Sequence, residues 1–244
     1  MTYEEAQKEF VKIINSLSGK YNPLSVFQDF CLMSTAALHN AFDKRDELEE
    51  QYLRAAGKYE SDEVNAISRL LALVVEGFED RLGDFLGEAY EKLEISNSNL
   101  GQFFTPYSVA KLTAAVTIDE KEVKQVIKEK GYVTINEPAC GGGCMIVAAL
   151  DVLKSKGVNF QKECVVIACD KDQTCAYMTY ITLSVLGVPA IVINGDTLLL
   201  ETYQTLYTPF YVLRYNLFWK SKEDEKEAVK NSFKENEEGQ MELF

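Results

Sequence analysis

The stretch NEPACGGGC, residues 136–144, decides how this chain is read. It follows Tyr132-Val133-Thr134-Ile135, a β-forming run, and so lies at the exit of a predicted strand. An acidic residue and a proline lead into three consecutive glycines, with Glu137 five residues ahead of Gly142. Glycine tolerates positive φ and lets a ligand approach the main chain closely. A carboxylate beside so bare a backbone raises the question of a cofactor.

Working outward, the pattern on both sides is strand alternating with helix. Apolar runs predict strands at 132–135, 164–169 and 190–193, and helices at 105–117, 143–156 and 171–187. Thr105-Pro106 reads as an N-cap and first helical residue. Buried β-branched runs between helices indicate parallel βαβ units, so the expected class is α/β. The first hundred residues differ. Phe10, Val11, Ile14 and Leu17 recur at helical spacing, and Asn22-Pro23 caps a second helix over 24–42. A charged helix is expected at 43–59, one capped by Ser61 with an apolar face from Ile67 to Phe78, and another over 83–94. The polar connector ISNSNLG, residues 95–101, suggests a division into a helical domain at 1–95 and an α/β domain at 96–219. Residues 220–244 read as a charged C-terminal tail.

Ligands of open parallel sheets sit at the carboxyl ends of the strands. Three such ends carry chemistry: Glu137 to Gly143, Asp170, and Asn194-Gly195-Asp196. An acidic residue after the second strand suits both ribose hydroxyls of a nucleoside. The dinucleotide spacing G-x-G-x-x-G fails, because position 146 is Ile146, and no phosphate loop is present. An acidic residue ahead of the glycines opposes a pyrophosphate and suits a cationic ligand, of which S-adenosylmethionine, with its sulfonium and ammonium, is the natural candidate. A tight turn without a ligand is the competing reading, and Asp170 could instead cap the helix after it.

Composition narrows the classes. Asp and Glu outnumber Lys and Arg by 38 to 25, a net charge of −13, whereas proteins that grip DNA unaided usually present a basic surface. Six cysteines without a CxxC pair and a lone His39 argue against a disulfide framework, a metal site or serine–histidine hydrolysis. No apolar run reaches the ~20 residues of a membrane span, and the polar N-terminus is unlike a signal peptide. A cytoplasmic setting without membrane or metal is the expectation.

GQFFTP (101–106) followed by EPACGGG (137–143) resembles the N6-adenine DNA methyltransferases, in particular the modification subunits of type I restriction-modification systems. That family carries G-[QE]-[FY]-[FY]-T-P and D-P-A-C-G-S-G-G segments. DFLGEAYEKL (84–93) is similar to the family's helix before the first of them. The acid in ACDKD and the segment NGDTL (194–198) fall where its second and third cofactor motifs lie. The resemblance implies a Rossmann-like S-adenosylmethionine-dependent methyltransferase fold with a helical N-terminal domain. It also implies roles. Phe104, Thr105 and Pro106 would hold the methionine end of S-adenosylmethionine. Glu137 and the turn Ala139, Gly141 and Gly143 would surround its ammonium and carboxylate. Asp170 would take the ribose, and Asp196 the adenine amino group.

The sequence departs from the family at N-P-P-[FY], the catalytic signature expected at the end of a fourth strand. Tyr207-Thr208-Pro209-Phe210 is the nearest string, with Phe210 in the place of the stacking aromatic, Pro209 beside it and Tyr207 where the asparagine belongs. The resemblance implies an adenine-specific DNA methyltransferase that reaches DNA through a specificity subunit or as a homo-oligomer. The missing asparagine keeps a catalytically silent cofactor-binding subunit, regulatory or decoy, as the alternative.

Overall fold

The computed structural model describes residues 1–93, 105–218, 224, 226–227 and 229–230. The chain forms two compact units, Met1–Thr105 and Pro106–Phe244. The division lies ten residues beyond the expected one at 95, and most of the predicted connector, with Phe104, falls outside the described residues.

The first unit is helical: α1 (Tyr3–Leu17), α2 (Pro23–Asn40), α3 (Asp46–Ala56), α4 (Ser61–Asp80) and α5 (Phe85–Lys92). Thr2 and Glu5 close a capping box at the start of α1, and the Asn22 side chain accepts from Leu24 N–H ahead of α2. α3 begins three residues later than expected, because Arg45 is extended and donates its N–H to Asn40 Oδ1. Ser61 is the first helical residue of α4, not its cap. Glu60 holds the cap position and donates its N–H to Glu63 Oε2 at 2.8 Å. Tyr3, Phe10, Phe27, Phe30 and Phe85 are fully or almost fully buried. Edge-on ring pairs with centroids 5.1 Å (Phe10–Phe30) and 5.6 Å (Phe10–Phe85) apart tie α1, α2 and α5 together.

The second unit runs α6 (Tyr107–Thr117), α7 (Glu120–Lys130), β1 (Val133–Glu137), α8 (Cys144–Ser155), α9 (Phe160–Glu163), β2 (Cys164–Asp170), α10 (Gln173–Val185), β3 (Ala190–Asp196), β4 (Glu201–Tyr207) and α11 (Pro209–Phe218). Pro106, expected inside α6, is its extended cap residue. α7 carries no long apolar run. Asp119 caps it by accepting from Lys121 and Glu122 N–H, and Gly131 ends it with φ +89°. The sheet order is β1-β2-β3-β4, with β1, β2 and β3 parallel. All of β3 and nearly all of β2 is buried, as expected for strands covered on both faces. Val165, Ile167, Cys169, Ile191 and Ile193 line one face, against which Tyr211 of α11 packs.

β4 overturns the expected course of the fourth strand. It runs antiparallel to β3, pairing Asp196 with Glu201 at one end and Ile191 with Tyr207 at the other. Gly195 permits the approach: a Cβ there would stand 2.3 Å from Glu201 O, beside a register shift at Asn194/Gly195. Of the six cysteines, Cys31 lies in the first unit and the other five in the second, and all are buried, reduced thiols. Among the described residues no helix is long and apolar enough to cross a membrane, and no cluster of His, Cys, Asp or Glu is placed to hold a metal ion.

Candidate functional site

Three parallel strands end side by side, and their carboxyl ends hold Glu137, Asp170 and Asp196 within one hydrogen-bonded frame. Asp170 organises it. Its Oδ2 accepts the N–H of Gly141 at 2.7 Å, and its Oδ1 accepts the N–H of Asp172 at 2.9 Å. The helix cap of α10 is Asp172, which accepts from Cys175 N–H, so Asp170 is not spent on that task. Asn194 at the end of β3 donates its side-chain amide to the carbonyls of Asp170 and Lys171, both at 3.0 Å.

The glycine turn is shaped by backbone conformation. Gly141 has φ +52° and Gly143 +91°, in the left-handed region that side chains resist. Gly143 then caps α8, and a Cβ on it would meet Thr179 Oγ1 at 3.1 Å. Four of the turn's N–H groups are already engaged within the protein. Ala139 donates to Glu137 Oε1, Cys140 to Cys169 O, Gly141 to Asp170, and Gly143 to Cys140 O. Four committed donors make a poor cradle for a phosphate, which binds through free backbone N–H groups.

The electrostatics run the same way. Burial, with the Asp170 charge adding to it, pushes the Glu137 carboxyl up to about 7. Burial also raises the Asp170 carboxyl from its ordinary value. Among the described residues no Lys or Arg forms an ion pair with either. A buried carboxylate beside a half-buried one is costly alone and is relieved by a positive ligand. Asp196 differs. Lys171 Nζ lies 2.7 Å from its Oδ2 and holds its carboxyl below the usual range, while its Oδ1 accepts from Leu198 and Leu199 N–H at 3.1 Å.

Thr105 and Pro106 precede α6, whose Ala110 packs with Cys144 and Ala148 of α8, the helix that leaves the glycine turn. Tyr207, Pro209 and Phe210 are not brought to the site. β4 carries the chain back from the carboxyl end of β3, so Tyr207 sits beside Ile191, about 16 Å along the strand from Asp196 at ~3.3 Å per residue. There Tyr207 stacks on Tyr211, with centroids 5.3 Å apart, while Phe210 packs where a Cβ on Gly187 would lie. Pro209 opens α11. The expected catalytic string belongs to the opposite end of the sheet. A cavity of about 720 Å³ lies over the Tyr211 face; Asp196 and Thr197 border it, but Glu137 and Asp170 do not.

Sequence reading missed three groups that hold the site. Lys171 pairs with Asp196, Thr179 Oγ1 donates to Gly141 O at 2.9 Å, and Thr197 Oγ1 donates to Pro138 O at 2.7 Å. The bonds of the two threonines span 38 and 59 residues, which no local pattern announces.

The family profile described as N-6 DNA methylase matches residues 81–242. Over 132 residues the chain is 29% identical to the methylase subunit of the type I restriction enzyme MjaIX from Methanocaldococcus jannaschii, covering 52% of this chain. It spans 21% of that relative's length. A Listeria monocytogenes crystal structure, provisionally described as a class I S-adenosylmethionine-dependent methyltransferase, superposes with a TM-score of 0.40 at 14% identity. That superposition covers 88% of this chain and 71% of the other, and is too loose to bear on function.

Proposed function

The chain belongs to the N-6 DNA methylase family, and from that premise we propose that its second unit is the S-adenosylmethionine-binding part of an adenine-N6 DNA methyltransferase. The observation that carries the reading is the pair of carboxylates, Glu137 buried and Asp170 half-buried, beside a turn of which four N–H groups are already committed. Such a site rejects a pyrophosphate and accepts a ligand bearing an ammonium and a sulfonium. When bound, the cofactor supplies a methyl group on a cationic sulfur for transfer to an exocyclic amine.

The chain's own residues supply position and countercharge. Glu137 faces the ammonium with the lone pairs that Ala139 N–H leaves unused. Asp170 holds Gly141 and Asp172 in place and keeps acceptor capacity for the ribose hydroxyls. Asp196, with Lys171 on Oδ2, retains capacity to accept from the adenine amino group. Thr105 and Pro106, at the entry to α6, take the methionine end together with Phe104. DNA is engaged with the help of a partner, a specificity subunit or a second copy, since the chain's net charge of −13 works against an unaided grip.

A second reading has its own support. Tyr207, Pro209 and Phe210 lie at the far end of the sheet, which favours a chain that binds cofactor without transferring its methyl when alone. Calorimetry with S-adenosylmethionine and S-adenosylhomocysteine tests the first reading. Binding that is lost in Asp170→Ala supports it, and silence from both ligands at high concentration overturns it. Tritiated cofactor with mixed-sequence DNA separates the two. Robust labelling of adenine by the chain alone rejects the silent reading, and labelling only with a partner supports a subunit role.

A further inference from the structure

We infer that Thr179 and Thr197 are positioning residues: their hydroxyls clamp the glycine turn from two directions and set it for the cofactor before the cofactor arrives. The inference rests on the cofactor reading above and adds residues to it. The turn from Pro138 to Gly143 is irregular backbone, and two of its glycines have positive φ. Left to itself such a segment samples many conformations, because glycine has the widest choice of φ and ψ. Besides the local bonds of Ala139 and Gly143 N–H, long-range bonds help to choose one.

The bonds come from three elements. Asp170, at the end of β2, accepts the Gly141 N–H. Thr179, in the middle of α10 and fully buried, donates to the carbonyl of the same residue at 2.9 Å. Gly141 is thereby held by both its donor and its acceptor. Thr197, just beyond β3, donates to Pro138 O at 2.7 Å and fixes the entry to the turn. Each hydroxyl occupies a carbonyl of the turn. That matters beside a ligand carrying a carboxylate, because a carbonyl left free would repel it. Gly143 also packs close to Thr179, where a Cβ would stand 3.1 Å from the hydroxyl, so the turn lies against α10.

The arrangement separates affinity from global stability. Removing one hydroxyl leaves the strands and helices intact but frees one end of the turn, and the lost order is recovered from binding energy. The test uses the full chain with S-adenosylhomocysteine in calorimetry, ligand-free thermal melts, and amide exchange over residues 139–143. Thr179→Val and Thr197→Val keep the branched shape and lose the hydroxyl. Thr179→Ser keeps the hydroxyl and loses the methyl, and Thr179→Ala, compared with it, isolates the hydroxyl should the valine variant fail to fold. The expected result is about a tenfold weaker Kd for each valine variant, a melting temperature close to the parent's, and faster exchange in the turn. Thr179→Ser restores affinity and exchange. Unchanged turn exchange in the valine variants overturns the clamp, as does a loss of affinity that merely follows the melting temperature. Should the parent chain bind neither cofactor form, the cofactor reading falls, while turn exchange still judges the clamp.

Discussion

Glu137 behaves as a proton-dependent residue. Burial pushes its carboxyl up to about 7 in the folded chain against 4.5 for an exposed glutamate, so the folded state holds this proton more tightly than the unfolded one. The stability this group contributes is complete below about pH 4.5 and is lost as pH rises to about 7, at a cost of about 3 kcal/mol. Glu137→Gln, which keeps the acceptor for Ala139 N–H, should flatten that dependence. Denaturant titrations at pH 5 and pH 8 check it: the parent loses stability between them relative to the variant, and parallel curves would refute the claim. A cationic ligand reverses the preference, since it favours the ionised carboxylate. S-adenosylmethionine should therefore bind more tightly at pH 8 than at pH 6, with a proton released on binding near pH 6.5. Calorimetry in buffers of different ionisation enthalpy reads that proton directly. At this scale much was legible. Glu137 and Asp170 stood out because acids at strand exits beside glycines have few structural reasons to be there. Thr179 did not, because a threonine inside a helix looks the same whether or not its hydroxyl reaches a turn 38 residues away.

Among the elements, β1, β2 and β3 read correctly to within a few residues, since strands buried on both faces are continuous apolar runs. β4 shows where such reading fails. A strand was expected after the third motif, and its composition is polar and half exposed. What the pattern did not convey was direction, although the spacing held it. Only residues 197–200 separate β3 from β4, and a parallel crossover needs about a dozen or more. A hairpin was the sole geometry available, and it carried Tyr207 away from the site. α7 was missed for the opposite reason: its buried face is nearly absent, and its caps alone mark it. The hairpin depends on Gly195. Gly195→Ala places a Cβ 2.3 Å from the Glu201 carbonyl, a backbone atom that cannot swing aside. A loss of about 2–3 kcal/mol is expected, with faster amide exchange over 201–207 than over β1. Parent-like melting and exchange would show that the strands part at no cost.

At the scale of the molecule the charge decides what the chain does unaided. With 38 acidic residues against 25 basic ones, it should bind duplex DNA no better than non-specifically, Kd about 10⁻⁴ to 10⁻⁶ M at physiological salt. Anisotropy titration checks this, and nanomolar affinity would reveal a basic groove that the net charge conceals. The sequence changes from helical to alternating periodicity near residue 100, and the structure has a two-unit organisation divided at Thr105/Pro106. The buried cysteines turn that organisation into a pair of clocks. A thiol reacts only as an exposed thiolate, and burial both hides these and holds Cys140, Cys164 and Cys169 protonated. Alkylation by iodoacetamide must then wait for the protein to open. Cys31 keeps time for the helical unit and five thiols for the other, so mass spectrometry of a single labelling course reads two separate rates of breathing from one unmodified chain. Added cofactor should slow the five and leave the one ticking as before.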